Sequence, residues 1–126
     1  MVTETHISSK ISHETPSLYW TYNQNNSGGR FDVDEYVCHY VIIEARDKID
    51  ADRRAQSVGI YFDGVEAGRD CDCCGDRWCR AWEDDGSDQP EIYGNHPREY
   101  DDSFAKKGSV FCRVYHLDGS ITEYKK

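Results

Sequence analysis

Residues 70–82 read DCDCCGDRWCRAW and place four thiols, Cys71, Cys73, Cys74 and Cys79, within nine positions, among acids, arginines and tryptophans. Thiols that dense can hold a metal ion, close a disulfide or act as a reactive centre. Cys71-x-x-Cys74-Gly75 has the frame of a zinc knuckle, in which a tight turn aims two thiolates at one ion. The glycine accepts the positive φ that such a turn requires. A disulfide between adjacent Cys73 and Cys74 would be strained, and a reducing compartment opposes the other pairings. A thiol beside Arg77 and Arg80 would have a lowered pKa, which ranks a redox or nucleophilic centre third. The plain alternative is a set of reduced, metal-free thiols, with Cys38 and Cys112 as small buried apolar groups.

A four-coordinate site needs two ligands beyond the knuckle pair. Cys73 and Cys79 are local candidates; Cys38, His39, Cys112 and His116 could come from strands. Cys38 and His39 are adjacent and face opposite ways in a strand, so one at most reaches a given ion. Cys112 and His116 share a face about 13 Å apart, so again one at most joins. Residue type and spacing therefore give Cys71, Cys74, one of Cys73 or Cys79, and a closing Cys38 or His39.

Two other clusters carry chemistry. Arg77, Trp78, Arg80 and Trp82 are of the types enriched where proteins bind partners, or they form a cation–π stack behind the cysteine turn. Gln24, Asn25, Asn26 and Ser27, in NQNNSGG, offer amides and a hydroxyl to a peptide backbone, a base edge or a phosphate; a structured turn is the favoured reading. The same strand geometry that separates Cys38 from His39 argues against a thiol–imidazole dyad between them.

The elements that must position these residues are legible in part. Residues 1–16 are polar and aperiodic and read as a flexible arm, leaving 17–126 as a single domain. SLYWTYNQ reads as a strand, and RFDVDEYVCHYVIIEA as the longest strand, central because it is apolar on both faces from Tyr36 to Ile43. A helix follows, capped by Asp47 or Asp50, with Ala51, Ala55 and Val58 on its apolar stripe and Gly59 at its end. GIYFDG reads as a strand completing a βαβ-like unit. Residues 83–109 form a long polar loop, and VFCRVYHL-DG-SITEYKK reads as a C-terminal hairpin closed by a two-residue Asp118-Gly119 turn. The expected fold is α+β: a small, mostly antiparallel sheet, one principal helix and a cysteine-rich loop.

The 126 residues carry a net charge of −9 with 37 % apolar content, partly offset by nine Tyr, four Phe and three Trp. From Glu66 to Asp102 twelve acids face four arginines, a field that repels nucleic acid and membrane phosphate and steers toward basic partners. There is no apolar run of membrane-spanning length, and residues 1–18 lack the apolar centre of a signal peptide, so a cytoplasmic protein is expected.

The strings YNQNNSGG, VCHYVIIEA, GIYFDG and DCDCCGDRW, in that order, resemble a family of small uncharacterised proteins of tailed bacteriophages. The resemblance runs from Tyr19 to Trp82, with an echo in VYHLDGS. It implies a phage origin and expression in the cytoplasm of an infected bacterium, and no activity. It also implies that Cys71, Cys73 and Cys74 are the usual thiols, while Cys79 and Cys112 are not. That leaves Cys38, His39 or His116 to close a zinc site. The expected metal ligands are Cys71, Cys73, Cys74 and His39, with Cys38, Cys79 and His116 as alternates. The resulting expectation is a small acidic accessory protein, binding rather than catalytic, that engages a host bacterial protein through Arg77, Trp78, Arg80 and Trp82. The other readings are an enzyme or small-ligand binder built on NQNNSGG and His39, and an acidic mimic of nucleic acid.

Overall fold

A computed structural model describes residues 2–7, 16–25 and 30–126. Among these residues, five strands form one sheet: β1 (Thr3–Ile7), β2 (Leu18–Asn23), β3 (Tyr40–Ala45), β4 (Val110–Tyr115) and β5 (Ile121–Lys125). The spatial order is β1-β5-β4-β3-β2, with β3 and β4 parallel and every other pair antiparallel. Among the described residues one α-helix, α1 (Lys48–Ser57), packs against β3. The fold is the expected α+β arrangement.

Helix α1 forms for local reasons. The Asp47 carboxylate accepts the Asp50 N–H at 2.8 Å, capping the first turn. At the other end Ile60 N–H reaches the Ala55 carbonyl and Gly59 N–H reaches Gln56, with Gly59 at φ +109°, the Schellman pattern that only a residue free of Cβ strain closes easily. Ala51 and Ala55 are fully buried, and small side chains there let the helix lie close to the sheet.

Strand alternation sorts the core into two layers. Trp20, Tyr22, Val41, Ile43 and Ala45 face α1 and pack with Phe62, Trp78 and Ala81. Ile42, Cys112, Val114 and Tyr124 face the other way, under Ile92 and Tyr100. A bulge between Val110 and Cys112 turns Phe111 onto that second face as well. Residues 83–109 thus cover one side of the sheet while α1 and the cysteine segment cover the other. Pro97–Glu99 form a short 3-10 turn in that cover, and Ile92 and Asn95 pair across Tyr93-Gly94.

Several expectations change. Thr3–Ile7, within the stretch read as a flexible arm, pairs with β5 as an edge strand; residues 8–15 of that stretch lie outside the described residues. The long strand expected from Arg30 to Ala45 is a strand only from Tyr40. Its first half is an irregular segment held by Arg113, whose guanidinium donates to the Asp34 carbonyl at 2.8 Å. GIYFDG is not a strand: the parallel neighbour of β3 is β4, far later in the chain. The hairpin loop is three residues, because His116 N–H donates to the Ser120 carbonyl while Gly119 N–H returns to His116. Gly119 at φ +92° takes the left-handed position of that loop, which an Asp-Gly pair alone does not distinguish from a two-residue turn.

Candidate metal centre

Cys71, Cys73 and Cys74 come together: their sulfurs all lie within 4.8 Å of one another. The Cys71 carbonyl accepts the N–H groups of Cys74 at 3.1 Å and Gly75 at 3.0 Å, so the chain folds back at once. Gly75 has φ +85°, the conformation the knuckle frame predicts. Cys73 and Cys74 sulfurs are 3.6 Å apart. A zinc–sulfur bond of about 2.3 Å sets tetrahedral sulfurs about 3.8 Å apart, so this donor set fits a thiophilic divalent ion.

The turn is braced from behind. The Asn25 amide donates to the Cys74 carbonyl at 3.1 Å and the Asp76 carbonyl at 3.2 Å, and Asn25 N–H donates to the Arg77 carbonyl. Asp76 accepts the Val65 N–H, and Asp70 accepts both the Tyr61 hydroxyl at 2.7 Å and the Arg77 N–H at 2.9 Å. Below the turn Trp78 is buried to 1 % exposure. Asp52 of α1 joins the layers, accepting the Tyr22 hydroxyl at 2.7 Å and the Ala81 N–H at 3.0 Å.

Electrostatics separate the thiols. The hydrogen bond from Cys73 is the main cause that holds the Cys71 thiol below its ordinary value, with the Cys74 contacts adding to it. The same contact with Cys71, joined by one with Cys74, pushes Cys73 up to about 11. One negative charge is easily carried and the second is resisted, a repulsion that a cation relieves.

The closing ligand expected from sequence does not arrive. His39 is buried, with Nδ1 2.5 Å from Asp102 and its ring stacked on Phe31 at 3.7 Å. Cys38 is buried, donates to the Tyr40 carbonyl, and is pushed up to about 12 by desolvation. His116 lies by the hairpin loop, 2.7 Å from the Thr122 hydroxyl. Cys79 is exposed and lines a different cleft. Among the described residues no further His, Cys, Asp or Glu joins the three-thiol group.

The expected partner surface divides. Trp78 is core and offers nothing to a partner, because the sheet face needs a large apolar side chain there. Arg77 is drawn inward, with Nη1 2.9 Å from the Gln24 amide oxygen and Nε 3.2 Å from Asp32. Arg80 and Trp82 remain outside, Trp82 at 72 % exposure. Arg80 forks onto Asp63 at 3.0 and 2.7 Å beside a cleft of about 400 Å³ that Phe62, Lys48 and Trp82 also line. Of the amide loop, Gln24 is buried and donates to the Asp32 and Cys38 carbonyls, and Asn25 serves the cysteine turn; Asn26 and Ser27 lie outside the described residues. Sequence reasoning missed Asp102 as the partner of His39, and Phe62 and Lys48 as walls of the cleft. All three are brought in from distant segments and carry no local signal.

The chain is thus a small α+β domain that displays three thiols on an exposed, braced turn. It belongs to a family described as a domain of unknown function (DUF7296), whose model matches residues 17–126. No curated protein and no solved structure matches the chain.

Proposed function

We propose that this chain is a small non-catalytic binding protein of phage origin, acting in the cytoplasm of the infected bacterium by engaging a host protein. In this reading Cys71, Cys73 and Cys74 hold zinc, which stiffens the turn between the helix and the long polar segment. The observation that carries the binding reading is Trp82, a large aromatic left 72 % exposed on the rim of the Phe62–Arg80 cleft. An exposed tryptophan beside a cleft is the kind of anchor that dominates protein interfaces. Glu83, Asp84 and Asp85 follow it directly, so a partner with basic side chains around an apolar pocket or groove complements this surface.

Immobilised wild type and Trp82→Ala, exposed to lysate of the host bacterium at low and moderate salt, test the binding reading. One host protein held near one-to-one by wild type and lost with Trp82→Ala is the expected result; equal recovery on both defeats it. Loss of that protein on adding salt alone, with Trp82→Ala unaffected, would favour the acidic-mimic reading. The zinc reading has its own check: protein purified under reducing conditions carries about one zinc per chain. Chelator then lowers its melting temperature, and Cys71→Ser abolishes both the zinc and the chelator effect.

A further inference from the structure

Resting on the zinc reading above, we propose that the ion held by Cys71, Cys73 and Cys74 takes its fourth ligand from outside the chain, and that this ligand is a thiolate. Three sulfurs converge within 4.8 Å, and among the described residues no other candidate donor joins them. Asp72, between Cys71 and Cys73, brings no oxygen into the group, and three other nearby side chains are engaged or open elsewhere. Asp70 has one carboxylate oxygen on the Tyr61 hydroxyl and the other on the Arg77 N–H. Asp76 is taken by the Val65 N–H, and Cys79 opens on the Phe62–Trp82 cleft. His39 is held by Asp102.

What adjoins the thiols is a cleft of about 180 Å³, lined by Cys71, Cys74, Asn25, Asp70, Arg69 and Arg77. Cys71 and Cys73 are exposed beside it, so a ligand can approach without any movement of the core. Arg69 sits over the Tyr61 ring at 3.7 Å, an exposed residue that lines that cleft. Three thiolates on a divalent cation leave one net negative charge. A second anion is favoured there by positive charge close by, which Arg69 supplies from the cleft lining. Thiolate is the donor whose softness matches a site already built of sulfur. The reaction is ligand substitution: the incoming thiol loses its proton to solvent as its sulfur displaces water from the ion, with no change in oxidation state. Its source is a small thiol or a cysteine of another chain.

Cobalt(II) reports the count of bound sulfurs. Metal-free protein, kept reduced with a phosphine, is loaded with one equivalent of cobalt and titrated with 2-mercaptoethanol while the sulfur-to-cobalt charge-transfer band is followed. The expected result is saturable growth of that band by about a third, as three bound sulfurs become four. Cys79→Ser should behave as wild type. Arg69→Gln should need roughly two- to five-fold more thiol, the effect of one exposed charge pair. Sedimentation of the cobalt form before thiol is added separates the sources. A monomer that then takes up the small thiol, or a metal-dependent dimer with four-sulfur intensity, each supports a thiolate from outside the chain. A monomer whose band ignores added thiol, or whose intensity falls in Cys79→Ser, overturns the proposal while leaving the metal site intact. Absence of any cobalt–sulfur band would defeat the zinc reading itself.

Discussion

Cys38 and Cys112 share a residue type with Cys71, Cys73 and Cys74 and nothing else. The first two lie on or beside the central strands at 0 % exposure, where desolvation pushes Cys38 up to about 12 and Cys112 well above the usual thiol value. The turn thiols are exposed or half-buried and lie within reach of one another, and the contact with Cys73 holds Cys71 below its ordinary value. Buried thiols here are packing groups with the volume of a small apolar side chain. The exposed thiols on the braced turn form a cluster that could hold a metal ion. The difference teaches that a cysteine's chemistry in this fold is set by which layer the backbone assigns it to, more than by how many cysteines surround it.

The sharpest way to break this contrast is to remove what holds the turn in place. Trp78→Ala empties the largest side chain from beneath the cysteine turn and is expected to cost about 3–5 kcal/mol. Urea denaturation measures that loss, and a cost under 1 kcal/mol would mean the turn does not depend on the core. Next in size, Cys112→Ser buries a hydroxyl among Ile42, Phe111 and Val114 and is expected to cost about 1–3 kcal/mol. Cys71→Ser, in metal-free protein, stays within about 0.5 kcal/mol of wild type because its side chain is exposed. Equal costs for the two substitutions would erase the distinction between the buried thiols and the turn thiols.

A third test loosens the cover over Cys112. Burial alone would raise the Asp102 pKa, but the His39 hydrogen bond and then the Phe104 N–H pull it below the ordinary carboxylate value. A depressed folded value adds stability that is fully present above the unfolded value of about 3.9 and is lost as pH falls through the folded one. Asp102→Asn should therefore be less stable than wild type at pH 7 and show a flatter decline below about pH 4. Denaturant midpoints measured across that range decide it; parallel curves for the two proteins would reject the pairing as a source of stability. The smallest effect is kinetic. Under limiting iodoacetamide Cys71 should be modified first, with Cys73 roughly ten-fold or more slower and Cys38 and Cys112 silent until denaturant is added. Peptide mass mapping reads the order, and early labelling of Cys112 would contradict its burial.

The sequence by itself determined what depends on neighbours a few residues away. Asp47 caps α1 because a carboxylate at that position meets the Asp50 N–H wherever the helix lies, and Gly59 ends it for an equally local reason. The Cys71–Gly75 turn and the β4–β5 hairpin are legible on the same terms, from a glycine that must take positive φ. Only the tertiary structure decided the rest. It paired β3 with β4, separated by more than sixty residues, and so removed GIYFDG from the sheet. It sent Trp78 inward and Trp82 outward, although the two stand four positions apart in the same aromatic–arginine pattern. It gave His39 to Asp102 rather than to the thiols, and it folded a segment rich in acids over Ile42 and Cys112 by way of Ile92 and Tyr100. Each of these outcomes is a competition between contacts distant in the chain. Such contacts become favourable only after loop closure and burial of whole layers, and local spacing carries no record of them.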